Sequence, residues 1–104
     1  MSFVREHIVK RFTRSSGWRK VRKAYVKKFP FCASCGSTRK LEVHHIKDFS
    51  TNPELELEPN NLITLCRAGT QCHLTFGHLG NWKSINPSVE EDSVWYLEKV
   101  KQRR

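Results

Sequence analysis

From Ser16 onward, apolar residues recur at helical spacing at Trp18, Val21, Tyr25 and Phe29, while Arg19, Lys20, Arg22, Lys23, Lys27 and Lys28 cover the opposite side. This pattern predicts an amphipathic helix. Ser15 or Ser16 can cap its start and Pro30 stops it. The aromatic stripe reads as core packing, and the basic face is the candidate for phosphate contact. Leu41 to Ile46 alternates with period two instead, as a strand does, so Leu41, Val43 and His45 share one face while Glu42, His44 and Ile46 share the other. Leu62 to Cys66 is short and apolar and reads as the returning strand of a hairpin. The loop between the strands, Lys47 to Asn60, is marked by Asn52-Pro53, Pro59-Asn60 and alternating glutamates. Cys72 to Leu79 predicts a short helix that carries His73 inward. Pro87-Ser88-Val89-Glu90-Glu91 is a capping box, with Ser88 as N-cap and Glu91 three residues on, and opens a C-terminal helix through Trp95, Leu97 and Val100.

These elements predict a small α+β fold with a single domain. Its expected divisions are a basic arm at residues 1–16, a site-bearing domain at 17–86, and a C-terminal helix at 87–104 that packs on or extends it. At 104 residues the apolar core alone would be marginal, and such chains often lean on a metal or on disulfides. Charge sharpens the picture. Residues 1–28 hold ten Lys or Arg against Glu6 alone, whereas the remainder holds nine basic and nine acidic residues, so the whole net charge of +9 sits on the N-terminal quarter. That segregation is the electrostatic footprint of a polyanion binder. The opening Met-Ser-Phe-Val-Arg-Glu-His lacks the apolar stretch of an export signal, and no apolar run approaches a membrane span. The expected setting is cytoplasmic, with no membrane partner. Thiols stay reduced there, so Cys32-Ala-Ser-Cys35-Gly36 reads as a metal knuckle before it reads as a disulfide.

All four cysteines and four of the five histidines fall between Cys32 and His78, threaded through one another. Cys32 and Cys35 form one constellation with Cys66 and Cys72. The second holds His44, His45, Asn61 and His73, in an order that can assemble one metal ion and one general base. Because His44 and His45 are neighbours on a strand they point apart and can take different tasks. The interleaving points to a compact metal-supported site for cutting phosphodiester bonds.

Cys-x-x-Cys-Gly at 32–36, Val43-His44-His45-Ile46, Asn61-Leu62-Ile63-Thr64-Leu65-Cys66 and Cys72-His73, in this order, resemble the HNH endonucleases. The resemblance covers roughly residues 17–80. It implies a ββα-metal core, a β-hairpin followed by a helix that grips one divalent metal, and hydrolysis of DNA. It further implies that His44 and His73 are metal ligands, His45 the general base, Asn61 the structural asparagine, and the four cysteines the ligands of a structural zinc. A phage setting is also implied, in genome processing or packaging, with a terminase or another DNA-processing protein as partner.

The chemistry agrees with those roles. A neutral imidazole accepts a proton at working pH, which suits His45 to activate water. A divalent cation (Mg, Mn, Ni or Zn) at His44 and His73 can neutralise charge on the phosphate. Asn61 can bridge backbone groups and so orient His45. His78 stands five residues after His73, whereas ligands on one helical face stand three or four apart; it is a third ligand if Gly77 bends the chain, and otherwise packs against Trp82 or contacts phosphate. Arg67-Ala68-Gly69-Thr70-Gln71 separates the second cysteine pair, where the family commonly has Cys-x-x-Cys. Arg19, Lys20, Arg22 and Lys23 are the candidate DNA contacts. A single site cuts one strand per event, so a double-strand cut would need a dimer or two encounters; the expected state is a monomer or weak dimer. The alternative is a non-catalytic, zinc-supported DNA-binding module, and His45 discriminates between the two, since a module that only binds has no reason to place it there.

Overall fold

The computed structural model describes residues 15–102. Most of the expected N-terminal arm therefore lies outside the described residues. Helix α1 spans Trp18–Lys28, with Lys27 and Lys28 in its last turn, where positive charge complements the helix dipole. Neither Ser15 nor Ser16 caps it through a side chain; Gly17 is the N-cap, and the Trp18 N–H donates to the Ser15 carbonyl at 3.1 Å. Ser15 is engaged elsewhere. Its N–H donates to the Glu56 carboxylate at 3.1 and 3.3 Å, tying the start of α1 to the hairpin loop. At the other end the Phe29 N–H closes on the Tyr25 carbonyl just before Pro30. The apolar stripe is less buried than its spacing predicts, since no residue of α1 is fully buried. Trp18, Val21 and Tyr25 are half-buried, and the Tyr25 hydroxyl donates to the Leu62 carbonyl at 2.8 Å.

Both expected strands form. β1 (Leu41–His45) and β2 (Leu62–Cys66) make an antiparallel pair whose register runs from Leu41 opposite Cys66 to His45 opposite Leu62. The loop between them carries 3₁₀ turns at Pro53–Leu55 and Pro59–Asn61. Every residue of β2 is buried. A two-stranded hairpin is marginal by itself, and what stabilises this one is a cluster of Cys32, Ile63, Leu65, Cys66, Cys72 and Val89, flanked by Ala33, Cys35, Leu41, Ile46 and Phe76.

Helix α2 (Val89–Gln102) turns Val89 and Ser93 inward. The buried hydroxyls of Ser93 and Ser34 meet at 2.8 Å, fastening α2 to the cysteine knuckle. Its N-terminus is organised by Asn86 rather than by the Ser88–Glu91 capping box. The Asn86 Oδ1 accepts from the Ser88 N–H, and its Nδ2 donates to the Phe76 carbonyl and to Asp92 Oδ2. Between Cys72 and Leu79, where a short helix is expected, the chain makes a π-helical turn over His73–Gly77. The architecture is thus a small α+β domain: a hairpin, flanking helices, and one turn of wide helix packed against the sheet. No described helix is long and apolar enough to cross a membrane.

Candidate metal and catalytic site

Strand geometry separates the paired histidines. His44 meets His73 and His78, with ring centroids at 5.0 and 4.8 Å. His45 lies against Trp18 of α1, stacked at 4.5 Å with the rings 30° apart. Its Nε2 is 2.9 Å from the Glu56 carbonyl oxygen. Both are buried. All four histidines, with Val43, Asp48, Phe49, Trp82 and Ile85, nonetheless line one cleft of about 230 Å³. Asn61, also buried, bridges the ends of the loop: its Oδ1 accepts from the Lys47 N–H at 2.8 Å, and its Nδ2 donates to the carbonyls of Lys47 and Leu55. The Ile46 N–H donates to the Asn61 carbonyl in turn. The carboxamide and main chain of one residue therefore hold the segment that leaves His45.

His44, His73 and His78 each offer a ring nitrogen within 4.8 Å of the others, a group that could hold a metal ion. The π turn makes this possible. In an α-helix, residues five apart sit roughly 140° around the axis from one another, so His73 and His78 would diverge. The i→i+5 winding widens the turn and brings them back toward one side, until their Nε2 atoms are 3.3 Å apart. Their other nitrogens are already committed: the Nδ1 of His73 to Glu42 Oε1 at 2.8 Å, and that of His78 to the Ser84 carbonyl at 2.7 Å. Such bonds fix ring orientation and raise ligand basicity. The His44 Nε2 is buried without a hydrogen-bond partner, a costly arrangement for a polar atom that a bound cation would relieve. The donor set and this orphaned nitrogen both fit a divalent metal.

Electrostatics favour the neutral, ligating form. Burial, reinforced by His73, His78 and His45, pushes His44 down to about 3. Burial also lowers His73, against the opposing pull of Glu42. Gly77 is the spacer beneath His44. A Cβ there would meet the His44 ring atoms Cε1 and Nδ1 at 3.0 Å, a tight contact that the ring can accept only by giving way by a few tenths of an ångström.

The second cluster lies behind the hairpin. Cys32, Cys35, Cys66 and Cys72 offer sulfurs within 4.8 Å of one another and could hold a second ion. None is in a disulfide. Gly69 and Gln71 take positive φ of 51° and 50°, which lets the five-residue insert curl back so that Cys72 rejoins the group. Cys32 is held down to about 4 by its hydrogen bond with Cys72, and the same contact together with burial raises Cys72. Burial raises Cys35. A soft dication suits this donor set.

Sequence reasoning missed three participants. Glu42 had a signal, since the alternation already sets it on the face of His44, two residues away. Glu56 and Ser84 had none, because they act on the histidine rings through main-chain carbonyls. The basic residues of α1 are only partly free: Arg19, Lys20 and Lys23 are exposed, but Arg22 is half-buried.

The buried histidines make stability depend on pH. In the unfolded chain an imidazole takes up its proton near pH 6.5, while folded His44 resists until about 3. The unfolded state therefore binds more protons throughout that window, and stability falls as pH drops from about 6.5 toward 3, by at most about 1.4 kcal/mol per pH unit for one group. Urea unfolding from pH 7.5 to 4.5 should show this loss. The difference between wild type and His44→Gln separates it from the titration of the thiols, and parallel curves for the two would contradict a neutral buried His44. Gly77→Ala should displace the His44 ring and weaken Mn²⁺ or Ni²⁺ binding at the histidines by about 10-fold or more, as read by calorimetry. Unaltered affinity would show that the ring tolerates the extra carbon.

Comparison with known proteins adds one result. A search of the curated proteins found no match, and neither did a search of the solved structures. The model of the HNH endonuclease family matches residues 32–78, a span that contains all four cysteines, the paired histidines, Asn61, His73 and His78. Over residues 32–78 the chain is thus similar to the HNH endonuclease domain.

Proposed function

We propose that this chain is a metal-dependent endonuclease that hydrolyses DNA phosphodiester bonds, with His45 as general base. The observation that carries the reading is one cleft in which a three-histidine cluster adjoins a fourth imidazole whose tautomer is set. A carbonyl oxygen can only accept, so the His45 Nε2–H donates to Glu56 and the ring's lone pair lies on Nδ1. Trp18 stacks on the ring and holds its plane. His45 then takes a proton from water as that water attacks phosphorus. The aromatic face of Trp18 favours the imidazolium that results. Asn61 keeps the adjoining chain from drifting and exchanges no proton. His44, His73 and His78 are the proposed ligands of one divalent cation, which when bound supplies Lewis-acid neutralisation of charge on the phosphate and its departing oxygen. His73 is oriented for this by Glu42, and His78 by the Ser84 carbonyl.

The cysteine cluster is read as a structural zinc site, which would join the knuckle, β2 and the start of the π turn. Arg19, Lys20, Arg22 and Lys23 are read as phosphate contacts on α1, the helix whose Trp18 touches His45. Genome processing in a phage, alongside a terminase, is the setting that the resemblance favours. A module that only binds DNA has no use for an imidazole held in one tautomer at the cleft.

Cleavage of plasmid DNA with Mg²⁺, Mn²⁺, Ni²⁺ or Zn²⁺, against an EDTA control, tests the activity. His45→Ala should cut turnover by about 10²- to 10⁴-fold with metal affinity retained, and activity close to wild type would remove His45 from the chemistry. Elemental analysis should find one zinc per chain that survives mild chelation. Cys35→Ser should lower the unfolding midpoint sharply rather than act on turnover alone, because structural zinc carries on the order of 10–16 kcal/mol of apparent binding free energy. A folded, zinc-free wild type would exclude this reading. Reversing Arg19, Lys20, Arg22 and Lys23 to Glu should weaken binding to every DNA sequence alike and flatten its salt dependence, whose slope is about −0.9 per neutralised phosphate. Identical salt titrations for the two proteins would move the DNA surface away from α1.

A further inference from the structure

We propose that Arg67 grips the backbone phosphate that neighbours the scissile one on the cut strand, an inference that rests on the nuclease reading. Arg67 opens the insert between Cys66 and Cys72, and the sheet fixes its main chain: its N–H donates to the Lys40 carbonyl at 2.9 Å, just past the Leu41–Cys66 pair. Its side chain is 58% exposed and stands 3.7 Å from Glu42 Oε2, with the guanidinium carbon 6.0 Å from the centre of the Trp82 ring. Both neighbours lead to the metal cluster. Glu42 uses its other oxygen to hold the His73 Nδ1 at 2.8 Å, while Trp82 lies 5.2 Å from the His73 ring and 4.9 Å from that of His78. One carboxylate and one indole thus connect an exposed cation to the rear of the histidine cluster.

The position selects the anion. Arg67 stands on the Nδ1 side of His73, whereas the Nε2 atom faces His78 across the cluster. The phosphate it faces is therefore not the one at the ligand nitrogens but the next along the strand. Its present partner is loosely held, because 3.7 Å is beyond hydrogen-bond length, so a phosphate can replace it. A planar guanidinium offers two parallel N–H donors to phosphate oxygens, and the indole beneath keeps that plane in place. Lys40 lines the groove beside Arg67 together with Leu41 and Glu42, adding a second cation there. If Arg67 merely paired with Glu42 on the surface, its removal would cost little, and that contrast makes the assignment testable.

The test compares wild type, Arg67→Ala and Arg67→Lys. The probes are a short DNA duplex, Mn²⁺ alone, and bis(4-nitrophenyl) phosphate, a diester with no neighbouring phosphate. Arg67→Ala should weaken duplex binding about 10-fold at low salt and make the salt slope shallower by about 0.9, the loss of one contact. Arg67→Lys should restore the slope but only part of the affinity. In cleavage, the Ala variant should raise KM for DNA, while Mn²⁺ affinity and hydrolysis of the small diester stay within about twofold, since neither involves the flanking phosphate. An unchanged slope and KM would overturn the proposal. So would an equal loss on DNA and on the small diester, which would put Arg67 at the metal or the scissile phosphate. If the wild type binds DNA but cuts neither substrate, the nuclease reading fails and this proposal falls with it, and a shallower slope for Arg67→Ala then shows a DNA-phosphate contact only. If it binds no DNA, both readings fail.

Discussion

The core of this domain is built around sulfur. Among the described residues, three of the six in its buried cluster are Cys32, Cys66 and Cys72, with Ile63, Leu65 and Val89 beside them. So small an apolar core supplies little net stability, and the four converging thiols sit where the missing hydrocarbon would be. Cys66 ends β2, Cys72 stands directly before the π turn, and Cys32 and Cys35 belong to the knuckle that Ser34 joins to α2. A soft cation at this point would cross-link the segments from which the domain is assembled, in place of a larger core.

The histidine site inherits its geometry from that cluster. Cys72 and His73 are consecutive, so whatever fixes the thiol also fixes the first residue of the π turn. The turn delivers His73 and His78 to the ring of His44 on the facing strand, and Gly77 leaves the space that the ring occupies. His45 depends on different contacts, with Trp18 from α1 and the Glu56 carbonyl from the loop. Glu56 serves twice, since its carboxylate accepts from Ser15 at the start of α1 while its carbonyl meets His45. Helix, loop and His45 are coupled through that one residue.

Rigid acceptors surround the candidate site. Two histidines bond to main-chain carbonyls, of Glu56 and Ser84, and a third to the carboxylate of Glu42. Each contact assigns one ring nitrogen as donor and so decides which nitrogen is left to bind or to accept a proton. Burial holds His44 neutral by the same logic. The assignment of these ring nitrogens is thus built into the fold.

Much of this was legible in the order of residues. Period-two alternation from Leu41 to Ile46 is enough to send His44 and His45 to opposite faces, because successive side chains of a strand must diverge. The hairpin, the helices on either side of it and the grouping of the cysteines follow from equally local rules. The contacts that organise the chain just ahead of the two helices were not legible. Ser15 and Ser88 have the right chemistry, but Glu56 and Asn86 lie where they can organise those ends, and only packing brings them there. Nor could spacing decide His78. Five residues from His73 is wrong for an α-helix, and only the folded chain shows the π winding that brings the two rings together. Main-chain carbonyls such as those of Glu56 and Ser84 have no signature at all, since every residue carries one. The sequence by itself determined which side chains are candidates for the chemistry; the tertiary structure decided which nitrogen of His45, His73 and His78 is held by a hydrogen bond, because the Glu56 and Ser84 carbonyls and the Glu42 carboxylate are brought close only by folding.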